Sequence, residues 1–457
     1  MKKIKYLFVV VVLIITAACD DYLDIVPKGK IIPTKTNDYR LLLNQLDSES
    51  GTIGLLPSYS TDVFLSDNMK FTPITISLYR SYEKNLFTFA EHTYNSAEED
   101  PDWSSFYAHV YKCNVVIKEV MDSEGGSLSE KKELLSEAKV HRAFSYLILV
   151  NLYAKHYNPT TAASDLGVPI RAGIGFEEDL SRKSVKEVYD LIITDLKDAV
   201  DNLPAKQKNS FNYRPSKASA YGLLARTYLY MGEYQKAIDN ANLSLQNASE
   251  LIDYKTVTAF TYPIPSEDAE AILIKSPSTA TSLFYCSKTL ENAYNKTKDL
   301  RFQVKYIPDS MTNPDFNYGF FSSKWYNKTP VKGYTTPETY LILAEAYARL
   351  NQVKNSIDKL NHLRKYRFAE GSNYTLSTSD PQIALDFVKK ERRCELAFQG
   401  LRLFDIKRYN LIDNANISIT HDLQGKTYTL QANSPRLVLP IARKYIEMNP
   451  EIKQNPR

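Results

Sequence analysis

Cysteine is scarce in this chain, with four in 457 residues, at positions 19, 113, 286 and 394. Setting Cys19 aside leaves an odd, widely spaced trio, which offers neither a disulfide framework nor metal-ligand spacing. Cys113, Cys286 and Cys394 are therefore expected to be buried and inert. An excess of one charge sign is also lacking. Lys and Arg number 57 against 53 Asp and Glu, for a formal net charge of +4. Three of the basic residues, Lys2, Lys3 and Lys5, lie in an N-terminal leader, so the remainder is near 4 − 3 = +1. There is no basic stripe of the kind nucleic acid requires, and no nucleic-acid partner is expected. Catalytic signatures are missing too: no G-x-S-x-G, H-E-x-x-H, Walker A or G-x-G-x-x-G occurs. The six His residues, at 92, 109, 141, 156, 362 and 421, share no metal-ligand spacing, so neither metal nor cofactor is expected. Two carboxylates from distant loops, as glycoside hydrolysis uses, are not excluded by sequence.

Helical hairpins are what the chain does contain. In Ser216 to Leu245, the residues Tyr221, Leu224, Ala225 and Tyr228 fall at i, i+3, i+4 and i+7, one helical face. Ser216 is placed to cap that helix, and Gly232 breaks it where positive φ is wanted. Tyr234, Ala237, Ala241 and Leu245 resume the pattern, the helix–turn–helix logic of a tetratricopeptide repeat. One hairpin cannot bury its own apolar face, so neighbours are required. Thr339 to Lys365 repeats the phase, with Tyr340, Leu343, Ala344 and Tyr347, and with Asn351 in place of Gly232. A third pair is expected at Trp103 to Val120 and Leu134 to Tyr153, where Trp103, Phe106, Tyr107, Val110 and Tyr111 form an aromatic stripe best read as core. Asp102 is the expected cap of that helix, and Glu98, Glu99 and Asp100 its solvated start. Ser184 and Glu187 form a capping box for a further helix. Asp380-Pro381 opens another, expected to run through ERRCELAF to Gly400. Its Glu391, Arg392, Arg393 and Glu395, with Arg402, Asp405 and Arg408 beyond, read as ion pairs and not as catalysts.

Two stretches lose the helical period. Ser58 to His92 carries Phe64, Phe71, Tyr79, Tyr82, Phe87 and Phe89 among polar residues and is expected to form loops and short pieces with exposed rings. From about Ile252 to Pro330, prolines punctuate a run rich in Tyr and Phe. Long insertions between helical repeats usually map to one face, often the binding face.

The leader has a basic start, an apolar run from Leu7 to Ile15 that is too short to span a bilayer, and then Ala17 and Ala18. Thr16-Ala17-Ala18-Cys19 resembles the lipobox of bacterial lipoproteins, although Thr16 departs from the usual Leu. Cys19 is then the expected lipidation site, which anchors the protein to a membrane without spanning it. Asp20 and Asp21 resemble the surface-export signal of some Gram-negative lipoproteins.

The order of these pieces resembles the SusD/RagB family of outer-membrane nutrient-binding lipoproteins. The matching segments are CDDYLDIVP, WSSFYAHVYKCNVVI, AKVHRAFSYLILVNLYA with DLGVPI, and RPSKASAYGLLARTYLYMGEYQKAI. They continue with TYLILAEAYARLN, LNHLRK, KKERRCELAFQGLRLFDIKRY and LPIARKYIEMNPEIKQNP. Ile441-Ala442 departs from the family's more usual Ile-Pro. The resemblance implies a mostly α fold, a tetratricopeptide-like helical-repeat scaffold with a loop-rich ligand-binding insertion. It implies a signal peptide over 1–18 and a single domain over 19–457, with hairpins at about 98–250 and 336–410 and loop-rich insertions at about 50–97 and 252–335. It also implies a non-enzymatic surface protein that binds a glycan or peptide and passes it to a SusC-like TonB-dependent transporter. The expected ligand contacts are Tyr79, Arg80 and Tyr82 in the early loops and Tyr285, Tyr294, Trp325 and Tyr326 in the insertion. With only 2 Trp against 33 Tyr, a large flat glycan platform is disfavoured. The competing readings are a lipid-anchored glycan hydrolase and a helical scaffold for membrane assembly with no small ligand.

Overall fold

The computed structural model describes residues 33–44, 61–175, 179–275, 283–323 and 332–457. Helices dominate these residues, and the long ones pack as antiparallel neighbours. Pro101–Glu119 lies against Leu128–Tyr153, which in turn lies against Val185–Ala199. The hairpin Lys217–Met231 with Tyr234–Asn247 comes next, followed by Thr336–Arg349 with Val353–Lys365. Pro381–Glu395 closes the row against Thr336–Arg349. One continuous apolar core runs through these helices.

Local chemistry accounts for the helix ends. Ser216 Oγ accepts from Ser219 N at 3.3 Å, and Gly232 closes the helix at φ 80°, in the left-handed region where a side chain is disfavoured. Asn351 takes the same role at φ 58°. Ser184 and Glu187 cap each other's backbone amides as expected. The cap of Pro101–Glu119 differs from expectation. Asp100, not Asp102, accepts from Asp102 N and Trp103 N, because Pro101 occupies the first helical position. Nor is Asp100 solvated: it is buried and its other oxygen accepts from Tyr153 Oη at 2.7 Å. Pro381–Glu395 also ends sooner than expected, before Phe398 and Gly400, which both have positive φ.

Between the helices lie short antiparallel strands. A four-stranded sheet is ordered Met69–Lys70, Leu283–Cys286, Phe320–Ser323, Ile307–Pro308. Its register pairs Lys70 with Tyr285 and Tyr285 with Phe321, so it stitches the early aperiodic stretch to the later one. Ala271–Leu273 pairs with Tyr334–Thr335 and carries the insertion back to the helices. The chain end is latched by its amides. Gln454 exchanges two hydrogen bonds with the Ile441 backbone, and Asn455 Nδ2 donates to Tyr153 O and Leu439 O. Cys113, Cys286 and Cys394 are buried free thiols.

Candidate functional site

The Glu391–Arg408 segment builds the frame of the site. Arg392 Nε donates to Asp405 at 2.8 Å, and Arg408 pairs with Asp405 and Glu345, all of them buried. Arg393 and Arg402 both reach Asp67, the latter with two near-parallel bonds of 2.7 and 2.8 Å. Asp67 stands just before the first strand of the four-stranded sheet, so this clamp fixes where that sheet meets the helices. Glu395 gathers three cations. Arg367 lies at 3.1 Å, Arg301 at 3.3 Å and Lys305 at 3.3 Å. Burial opposes charge on Glu395, but Arg367, Lys305 and Arg301 outweigh it and hold the carboxyl well below the usual range. The segment is thus an ion-pair frame, as its spacing indicates, with the exception of the buried Lys407, which donates to Asn151 O and Ala154 O instead.

That frame supports a groove. Arg301 and Lys305 belong to the helix Leu300–Lys305, which forms one wall. Arg367 holds the other wall: Nη1 donates to Ile252 O at 2.8 Å, and its guanidinium lies 4.1 Å from the Tyr254 ring centroid. Tyr254 N donates to Tyr366 O alongside. Between the walls is a hollow of about 390 Å³ lined by Tyr254, Phe260, Phe302, Tyr306, Met311 and Phe320. Phe302 and Phe320 meet edge to face at 4.7 Å, and Lys296 Nζ lies within 5 Å of both rings, at 4.7 and 4.9 Å. At the rim, Phe260 is 56% and Met311 55% exposed. The turn that presents Phe260 is locked by its own threonines. Thr258 Oγ1 accepts from Phe260 N and Thr261 N, while Thr261 Oγ1 accepts from Thr258 N at 2.8 Å. Gln303 supplies an exposed amide on the helical wall. Apolar rings, a polar rim and a braced backbone are the ingredients of a small-molecule site.

The residues expected from sequence fall elsewhere. Tyr79 and Tyr82 are buried, correcting their reading as exposed rings. Tyr79 packs on Phe71 at 4.8 Å and Phe64 at 5.2 Å, and Tyr82 stacks on Tyr94 at 5.8 Å. Phe64, Phe71, Phe87 and Phe89 are buried with them, since the short helices of this stretch fold back on the core. Tyr285 is buried on the sheet, where its hydroxyl bonds Asp309, and burial followed by that carboxylate pushes it up to about 12. Tyr294 is buried and donates to Cys394 O at 2.7 Å. None of these four rings lines the groove, whereas Arg80 is exposed. Cys19, Trp325 and Tyr326 lie outside the described residues. Phe260 and Met311 were not legible in advance: their stretch has no period, and only its density of proline and aromatic residues marks it. Among the described residues, no group of His, Cys, Asp or Glu is arranged to hold a metal, and no helix is long and apolar enough to cross a membrane.

Comparison with known proteins fits this architecture. Residues 21–229 match the model of a family described as starch-binding and associating with the outer membrane, and residues 279–457 match that of the SusD family. A SusD-like protein of Formosa agariphila is 21% identical, over 79% of this chain and 80% of its own. A SusD superfamily structure from Bacteroides thetaiotaomicron superposes with a TM-score of 0.75 at 21% identity, covering 93% of this chain and 100% of that one. A structure described as a laminarin-binding SusD-like protein superposes at 0.65 with 19% identity, covering 93% and 100%. The two matched segments account for most of the chain, and it belongs to the SusD/RagB family.

Proposed function

We propose that the protein is an outer-membrane lipoprotein, anchored through Cys19 and facing the cell exterior. It captures a glycan in the groove between Tyr254 and Phe320 and delivers it, without turnover, to a SusC-like TonB-dependent transporter. The observation that carries this reading is the pair of exposed side chains, Phe260 and Met311, over a wall of rings that the Glu395 frame braces from behind. A sugar ring has one apolar C–H face and a girdle of hydroxyls. Phe260 would take the face, and Gln303 with nearby backbone groups would take hydroxyls. Affinity should be modest, because each hydroxyl must leave water before it is re-paired. The braced walls lower the ordering cost of binding. The likeness to a laminarin-binding protein supports a glycan ligand.

The test is affinity electrophoresis of the mature chain through gels containing laminarin, starch, xylan, mannan or pectin, with Phe260→Ala alongside. Retardation by at least one polysaccharide is expected, weakened in Phe260→Ala, with no release of reducing ends. Passage of the native protein through every gel unretarded, with binding of oligopeptides instead, would replace the glycan by a peptide. Release of reducing ends would make the protein a hydrolase.

A further inference from the structure

The stripe of aromatic residues on Pro101–Glu119 divides in two. Phe106 and Val110 are fully buried in the core. Trp103, Tyr107 and Tyr111, at i, i+4 and i+8, line a second hollow of about 190 Å³. Four residues of helix rise about 6 Å, so these rings follow one another as rungs. The facing wall comes from Pro169, Arg171 and Gly173 and from Tyr445 and Asn449 near the chain end. Trp103 and Tyr445 stand with centroids 6.4 Å apart and planes at 25°.

This hollow is held open by bonds behind it. Asn114 Nδ2 donates to Arg171 O and Gly173 O, both at 3.0 Å, while its Oδ1 accepts from Arg142 Nη1 at 2.8 Å. Tyr107 Oη donates to Pro169 O at 2.8 Å. Tyr146 Oη accepts from Arg171 N at 2.7 Å. At the mouth, Tyr111 is 47% exposed. None of the residues that line this hollow lines the groove at Phe260.

We propose that this hollow is a second glycan subsite that takes one pyranose ring of a chain, an inference that rests on the glycan-binding reading above. Size is the first argument. An apolar cavity of about 150 Å³ holds one benzene ring, so about 190 Å³ suits a single six-membered ring with substituents. Chemistry is the second. Tyr107, Tyr111 and Tyr445 offer apolar faces over the buried Trp103, while the Ser104 and Asn449 side-chain oxygens accept and the Arg171 guanidinium donates around them. Sugar hydroxyls both donate and accept and so match both kinds of group, whereas a polyproline stretch, with no backbone N–H, brings acceptors alone. Two subsites built from separate elements make the second contact of a long chain intramolecular, so polymers should be held more tightly than their single units.

The chain has two tryptophans, so Trp325→Phe leaves Trp103 as the sole tryptophan, excited selectively beyond the tyrosine absorption. Glucose, galactose, mannose, xylose, arabinose and fucose are each titrated into this full-length variant while Trp103 fluorescence is followed. At least one sugar is expected to change the Trp103 emission saturably. Adding Tyr111→Ala should raise the half-saturating concentration at least tenfold while leaving the melting temperature unchanged. A flat response to all six sugars, a response indifferent to Tyr111→Ala, or a response to a proline-rich peptide alone overturns the subsite. The outcomes separate cleanly. Polysaccharide retardation with a silent Trp103 leaves the proposed function standing and removes the second subsite. A saturable Trp103 response without retardation keeps the subsite and sinks the groove at Phe260.

Discussion

Replacing Glu395 by Gln takes one negative charge from among Arg367, Arg301 and Lys305, of which the two arginines are buried and the lysine half-buried. Shape and volume barely change, so the effect is electrostatic. Removing one partner of a buried pair costs about 3–5 kcal/mol where it strands the other charge; Arg301 keeps Asp299 and Arg367 keeps Glu270, which puts the cost here at about 3 kcal/mol. Unfolding entropy is about 2.1 cal/mol/K per residue, or roughly 0.8 kcal/mol/K for a unit of about 400 residues. The expected fall in melting temperature is therefore about 4 °C, read by calorimetry near neutral pH. A second readout localises it. Arg301, Lys305 and Arg367 hold both walls of the groove, so amide exchange at 252–254 and 300–305 should accelerate more than in the hairpin 217–247. The pH dependence has a definite sign. The folded carboxyl is held below its unfolded value of about 4.3, so its stabilisation is complete above that pH and is lost as pH falls through the folded value. Glu395→Gln should thus lose less than the native protein on acidification below about pH 4. A melting temperature within about 1 °C of native, or exchange that rises evenly over the molecule, would refute the reasoning.

Three further outcomes are expected. Asp67→Asn releases Arg393 and Arg402 together and should cost about 2–3 kcal/mol by chemical denaturation, with Arg402→Met adding little once Asp67 is gone. His156 is buried, and burial followed by Arg408 and Lys407 holds it well below 6.5. The unfolded state therefore binds the proton first and stability drains away below pH 6.5, so His156→Phe should lose less melting temperature than native between pH 7 and pH 5. Cys19→Ser should abolish incorporation of labelled palmitate and move the protein from the membrane to the soluble fraction; unchanged labelling would remove Cys19 as the anchor.

Helices were legible because their information is local. Ser216, Gly232, Asn351, Ser184 and Glu187 each declare a boundary within a turn of where it falls, and the structure keeps those boundaries. The charged run at Glu391–Arg408 was legible as ion pairing from residue type alone, but its partners were not. Asp67 lies 335 residues from Arg402, and nothing in the sequence joins them. The aperiodic stretches misled for the same reason. Tyr79 and Tyr82 sit among polar neighbours that suggest solvent, and Tyr285 and Tyr294 in a proline-punctuated run that suggests a binding face, yet a strand pairing between Lys70 and Tyr285 and the packing of short helices bury them. The aromatic stripe at Trp103 shows the limit of periodicity. Phe106 and Val110 went to the core as read, while Tyr111, one position on, faces out.

The most direct measurement is hydrogen–deuterium exchange of the mature protein with and without the polysaccharide that retards it in gels. Ligand should protect 254–260 and 300–311, and that protection should weaken in Phe260→Ala while the hairpin 217–247 stays unchanged in both. Protection that spares both segments, or that survives Phe260→Ala undiminished, would contradict the assignment of the groove as the place where glycan is held.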